Sequence, residues 1–131
     1  MHEGNVGQML STIDLLPMQS VTATGNGTGV DVQQFVGEIS VLLASKATAG
    51  TTPTLDVTLE DSADNSTFAA ISGAAFTQVT DAGTSAAVLH KITLKVGGVK
   101  RYIRAVKTLG GTSSPAFMTT CIAEGVKQVI S

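Results

Sequence analysis

Tryptophan is absent from this 131-residue chain, tyrosine occurs once and phenylalanine four times. Sites that grip sugars or stack bases are built on exposed aromatic rings, so such uses start from a poor inventory. Cysteine also occurs once, at Cys121. A single thiol excludes an intrachain disulfide and a thiolate metal cluster, and its apolar, alternating surroundings are those of a small buried hydrophobe. Charged residues make up 14% of the chain and the net charge is −2, against about 25% charged in a typical domain. A weakly negative, charge-poor protein sets up no field for a polyanion, which argues against nucleic acid and anionic membrane as partners. No apolar run approaches the roughly 20 residues of a membrane-spanning helix. The first five residues, MHEGN, show neither the cationic nor the apolar part of a secretory leader. The expectation is a chain made in a cytoplasm, with no membrane partner.

What is present is Gly, Thr, Ser, Ala and Val in period-2 patterns. One domain is the natural reading of this length. In residues 54–60 Leu55, Val57 and Leu59 alternate with Thr54, Asp56, Thr58 and Glu60, the mark of a strand with one dry face. The next six residues, DSADNS, favour a turn, because short polar side chains bond their own backbone. This is a strand, a turn and a returning strand that carries Phe68. Residues 35–44 are apolar on both faces, which predicts a central strand or one covered on both sides. Residues 48–53 and 110–115 read as loops, with Pro53 outside any ladder. Val88, His90, Ile92, Leu94 and Val96 share one face of a further strand, and Gly97-Gly98 suits a tight hairpin into a strand beginning near Tyr102. Regular strands without a helical period predict an all-β fold, a β-sandwich over residues 20–131. Residues 1–19, with Leu10, Ile13, Leu15 and Leu16 as the only apolar anchors, read as an N-terminal arm, either loosely ordered or laid across a neighbouring subunit.

The chemistry of a site is sparse. Gly25-Asn26-Gly27-Thr28-Gly29 lacks the third glycine position and the following helix of a dinucleotide loop. His2 lies in the arm and His90 on an apolar strand face, and no nucleophile elbow occurs. Glu60, Asp61 and Asp64 lack the glycine and distal glutamate of a calcium loop, and carboxylates in turns commonly cap the backbone. No catalytic residue, metal site or cofactor is predicted. The better candidate is the basic segment containing Arg101, Tyr102 and Arg104, since Arg and Tyr are enriched at dominant protein contacts. Two readings stand side by side: Tyr102 and Arg104 meet an acidic partner outside the chain, or Arg104 bridges Glu60 or Asp64 within it.

Residues 29–37, the run LEDSADNSTF at 59–68, and KRYIRA at 100–105 together resemble a family of small virion proteins of tailed bacteriophages, the head decoration or cement proteins. The resemblance spans roughly residues 20–125. It implies a non-enzymatic jelly-roll β-sandwich on the outer head surface that binds the major capsid protein and self-associates as a homotrimer. A head–tail junction or tail component is the alternative within the same particle, and a carbohydrate-binding adhesin the alternative of another class.

Overall fold

The computed structural model describes residues 10–80 and 87–127. Eight strands form the sheet: β1 (Leu10–Val21), β2 (Gly25–Asn26), β3 (Val30–Asp31), β4 (Phe35–Ser62), β5 (Ala69–Ala75), β6 (Val79–Thr80), β7 (Val88–Lys95) and β8 (Tyr102–Lys127). The only helical piece among the described residues is a 3-10 turn at Val96–Gly98. Two of these strands are far longer than the usual five or six residues: β4 has 28 residues and β8 has 26. They pair with each other antiparallel along nearly their whole length, from Phe35↔Lys127 to Ser62↔Tyr102.

A ribbon of that length cannot stay flat and bury its apolar face. The creases that fold it are the two segments read as loops. They do not end the strands, because the antiparallel register places them opposite one another, with Ala49↔Ala116 and Thr51↔Thr112. The register shifts repeatedly between Ala47 and Thr54, and Pro53 stays out of the ladder as its missing N–H requires. Gly50 and Gly111 both take positive φ, at 106° and 112°. A Cβ on Gly50 would strike the Pro115 backbone, and one on Gly111 the Pro53 backbone. The crease is thus a reciprocal pair of Gly-against-Pro contacts that only glycine permits.

Folding at the crease gives two limbs of one continuous sheet. The first limb has the order β7, first half of β4, second half of β8, β1; in the second limb β5 and β6 flank the later half of β4, and β2 and β3 flank the early half of β8. Alternation decides what lies between them. Ile39, Val41 and Leu43 from one limb and Leu55, Val57, Leu59, Ile103 and Ala105 from the other are all at most 1% exposed and belong to one core, with Phe117, Cys121 and Ala123. A full burial of each large side chain contributes about 1.5–3 kcal/mol. The buried polar side chains are satisfied: Ser45 and Thr119 share a 2.9 Å hydroxyl hydrogen bond, Ser62 donates its hydroxyl to Asp64, and Asp61 accepts the Lys100 N–H. The result is the all-β sandwich expected from the pattern, with both layers drawn from a single folded sheet.

Two further expectations fail. Residues 10–19 are not an arm: they form most of β1, paired with β8 from Leu10↔Val126 to Val21↔Phe117. Consecutive Leu15 and Leu16 cannot both face inward on a regular strand, which hid the strand from the period-2 pattern. A register shift between Asp14 and Leu16 turns both into the core, where each is 1% exposed. The earlier part of the predicted arm, residues 1–9, lies outside the described residues. Nor does Gly97-Gly98 close a hairpin. Strand β7 pairs with β4 only, and the 3-10 turn carries the chain across to start β8 in the other limb.

Candidate functional site

The basic segment begins β8 on the second limb, where Ile103 and Ala105 point into the core and Tyr102 and Arg104 point outward, half-buried. Register sets Arg104 directly opposite Glu60. The Arg104 Nε and Nη2 donate to one oxygen, Glu60 Oε1, at 2.8 and 2.6 Å. The same guanidinium lies 4.0 Å from the centre of the Phe68 ring, a cation–π contact. Arg101, at the mouth of the strand, donates through Nε and Nη2 to Asp31 Oδ2 at 3.1 and 2.9 Å. Its guanidinium lies 5.1 Å from the Tyr102 ring. Arg101 holds the Asp31 carboxyl below the usual carboxylate range, helped by the Gln33 N–H. Of the two readings of Arg104, the geometry favours the internal one, with Glu60 as the partner.

The three neighbouring carboxylates Glu60, Asp61 and Asp64 have separate occupations. Glu60 is held by Arg104, and Asp61 Oδ2 accepts the Lys100 backbone N–H at 3.0 Å. Asp64 Oδ1 accepts the Ser62 hydroxyl and the Ser66 and Thr67 N–H groups, at 2.8, 3.0 and 3.0 Å. Those hydrogen bonds, the Thr67 N–H foremost, hold the Asp64 carboxyl down at about 2. The turn they fix packs against the chain near Gly29, where a Cβ would overlap Asn65 and the Phe68 ring. His90 lies on edge strand β7, half-buried opposite Leu43 in the first limb, whereas these carboxylates belong to the second.

The unsatisfied surface is elsewhere, on the outer side of the first limb. Register lines up rows that cross all four strands. One is Lys91, Leu42, Ile122, Asp14; the next is Thr93, Ser40, Glu124, Thr12; a third begins Leu89, Ala44, Thr120. Leu10, Val36, Leu89 and Met118 are 42 to 70% exposed and belong to this face, and exposed Met18 borders it in the irregular part of β1. These are all the exposed large hydrophobics among the described residues, and they gather on one limb. The second limb contrasts with it: its outer rows carry Thr54, Asp56, Thr58 and Glu60 beside Tyr102, Arg104 and Thr108, tied by the Arg104 pair and a Gln78–Asp56 hydrogen bond of 3.0 Å.

Of the residues singled out as interface candidates, then, Arg101, Tyr102 and Arg104 are engaged within the chain, and Leu15 and Leu16 are core. Ile13 is partly buried against that core, and Leu10 alone lies on the exposed apolar face. Leu42, Leu89, Met118 and Ile122 were missed. The signal for them was the two-sided apolar character of residues 35–44: the strand is central, but no described element covers its second face.

No family model matches the sequence, and no curated protein matches it significantly. Solved structures of infectious bursal disease virus do match in fold. The chain superposes on the infectious bursal disease virus T13 particle with a TM-score of 0.60 at 14% identity, covering 90% of this chain and 31% of that one. It superposes on the virus of the Gx strain at 0.56 and 10% identity, covering 93% and 33%. The VP2 subviral particle of the same virus gives 0.51 and 10% identity, covering 90% and 32%. The chain therefore spans about a third of the length of the proteins it matches. At such low identity the likeness establishes the architecture: this chain is an antiparallel β-sandwich of the kind found in virus particle proteins.

Proposed function

We propose that this protein is a non-enzymatic structural component of a virus particle, a decoration protein that binds the outer surface of a tailed-phage head and reinforces its shell. The observation that carries the reading is the division of labour across the sandwich. Its ion pairs and turn carboxylates are spent inside the chain, while the outer face of the first limb gathers the exposed large hydrophobics and is covered by no described element. Large exposed apolar faces mark association surfaces. The fold shared with virus particle proteins and the charge-poor composition point the same way. Each copy would bury modest area on the shell. Attachment at several shell subunits makes the later contacts intramolecular, so that weak contacts hold together against expansion.

The aromatic inventory disfavours the carbohydrate-binding alternative. Phe35, Phe76 and Phe117 are core residues, Phe68 lies under Arg104, and Tyr102 is half-buried beside Arg101. None is left as an open platform. The test is co-sedimentation of the purified protein with heads assembled without it. Saturable binding over the shell and a higher disruption temperature are expected. Binding confined to one vertex assigns it to the head–tail junction instead, and no binding at saturating concentration ends the proposal.

A further inference from the structure

We infer that the outer face of the first limb is where a second copy of this chain packs, face to face, about a two-fold axis that runs along the strands between β4 and β8. The argument rests on how charge is laid out across that face. Its cations sit on the β7 and β4 side, at Lys91, Lys95 and Lys46, where Glu38 beside Lys95 is the single anion, and its other anions sit on the β8 and β1 side, at Glu124 and Asp14. Rotation about an axis along the strands carries the β7 edge of one copy over the β1 edge of the other. Rotation about an axis across the strands would instead set β7 on β7, lysine against lysine.

The central row makes the complementarity concrete. Reading across the sheet it is Lys91, Leu42, Ile122, Asp14. Turned over, Lys91 of each copy faces Asp14 of the other, and Leu42 faces Ile122, so both ends pair opposite charges and the middle is apolar. The neighbouring row sets Ser40 against Glu124 and Thr93 against Thr12, again without like charges. A self-complementary patch of this kind is what an isologous contact requires. Two sheets stack about 10 Å apart with strands within about 30° of alignment, a geometry open to a four-stranded face. Four strands at about 4.8 Å and seven residues at about 3.3 Å give roughly 450 Å² of plan area per copy. The sum is near the small end of specific interfaces, so the pair is a weak, concentration-dependent dimer. It differs from the homotrimer that the family resemblance implies. It uses the face that carries the head-binding reading, so a head would displace the second copy; self-association is read without heads, and the two readings fail separately.

Sedimentation equilibrium of the full chain over a wide concentration range tests it. The expected result is a monomer–dimer equilibrium. A charge-swap set then locates the contact: Lys91→Asp and Asp14→Lys should each weaken association by about tenfold or more, since each places like charges together at two symmetric points. The double variant carrying both changes should recover it. Within one chain these residues lie three strand spacings apart, about 14 Å, beyond the screening length at ordinary salt, so recovery cannot come from an intrachain pair. Ile122→Thr should weaken the dimer as well, whereas an edge-to-edge contact between β7 and β1 would leave it unchanged. Circular dichroism and melting confirm that these exposed variants fold. A persistent monomer, which is also the result if the chain's own residues 1–9 occupy the face, overturns the inference. So does a trimeric mass, an Ile122→Thr variant of unchanged affinity, or a charge swap without recovery.

Discussion

Replacing Arg104 by alanine separates a scaffolding role from a contact role more cleanly than any other single change. The side chain and its partner Glu60 are 21 and 23% exposed, so solvent only partly replaces what is lost. Hydrogen bonds between charged groups contribute about 1.5–3 kcal/mol net, and the partial exposure argues for the lower end. Stacking on Phe68 adds about 0.5–1 kcal/mol. The expected loss is about 2 kcal/mol, with Glu60 left as a half-buried carboxylate lacking its partner. For a domain of this size that lowers Tm by roughly 6–10 °C. Thermal denaturation by circular dichroism, with urea unfolding to obtain the free energy, provides the measurement. Phe68→Leu should cost less, and the double variant should show a coupling of about 0.5–1 kcal/mol, since both contacts share one guanidinium. Head binding per folded molecule should be unchanged. An Arg104→Ala protein that melts within a degree of the parent while losing head binding would refute the scaffolding argument and return Arg104 to the interface.

Three further outcomes follow from the same geometry. Ser45→Ala should cost about 1 kcal/mol in urea unfolding, whereas Ser45→Ala combined with Thr119→Val should cost less than the sum of the two, because an unpaired buried hydroxyl is worse than none. Asp64 titrates at about 2 in the fold against an ordinary 3.8, so its contribution is complete above pH 4 and disappears as pH falls toward 2. Asp64→Ala should therefore flatten the fall in unfolding free energy over that window, and an unchanged slope would contradict the turn hydrogen bonds. Burial pushes the Cys121 thiol up to about 12, so a thiol reagent at pH 8 should label it only as fast as the protein opens, and label it promptly in urea.

Strand identity and inward faces were legible along the chain because alternation is a local property. Leu55, Val57 and Leu59, and Leu94 on β7, are buried as their spacing requires. The turn at Asp61–Ser66 was legible too, through side chains that bond their own backbone within three residues. Local signals misled where their effect depends on what lies opposite. Two stretches rich in Gly, Thr and Pro read as strand-ending loops, yet they face each other in the ladder and crease it together. Leu15-Leu16 broke the alternation and read as an arm, until a bulge in register with β8 turned both inward.

Composition and periodicity by themselves determined that this chain is a charge-poor β protein with one dry face per strand. The partner of Arg104 was beyond them, since Glu60 lies at the end of a strand and Asp64 in the turn after it, and only the β4–β8 register, pairing residues 44 apart in sequence, chooses between them. The association face was beyond them for the same reason. Its central row draws one residue from each of four distant segments, Asp14, Leu42, Lys91 and Ile122. Only hydrogen-bonded registry between strands brings such residues side by side, and registry is a property of the folded sheet.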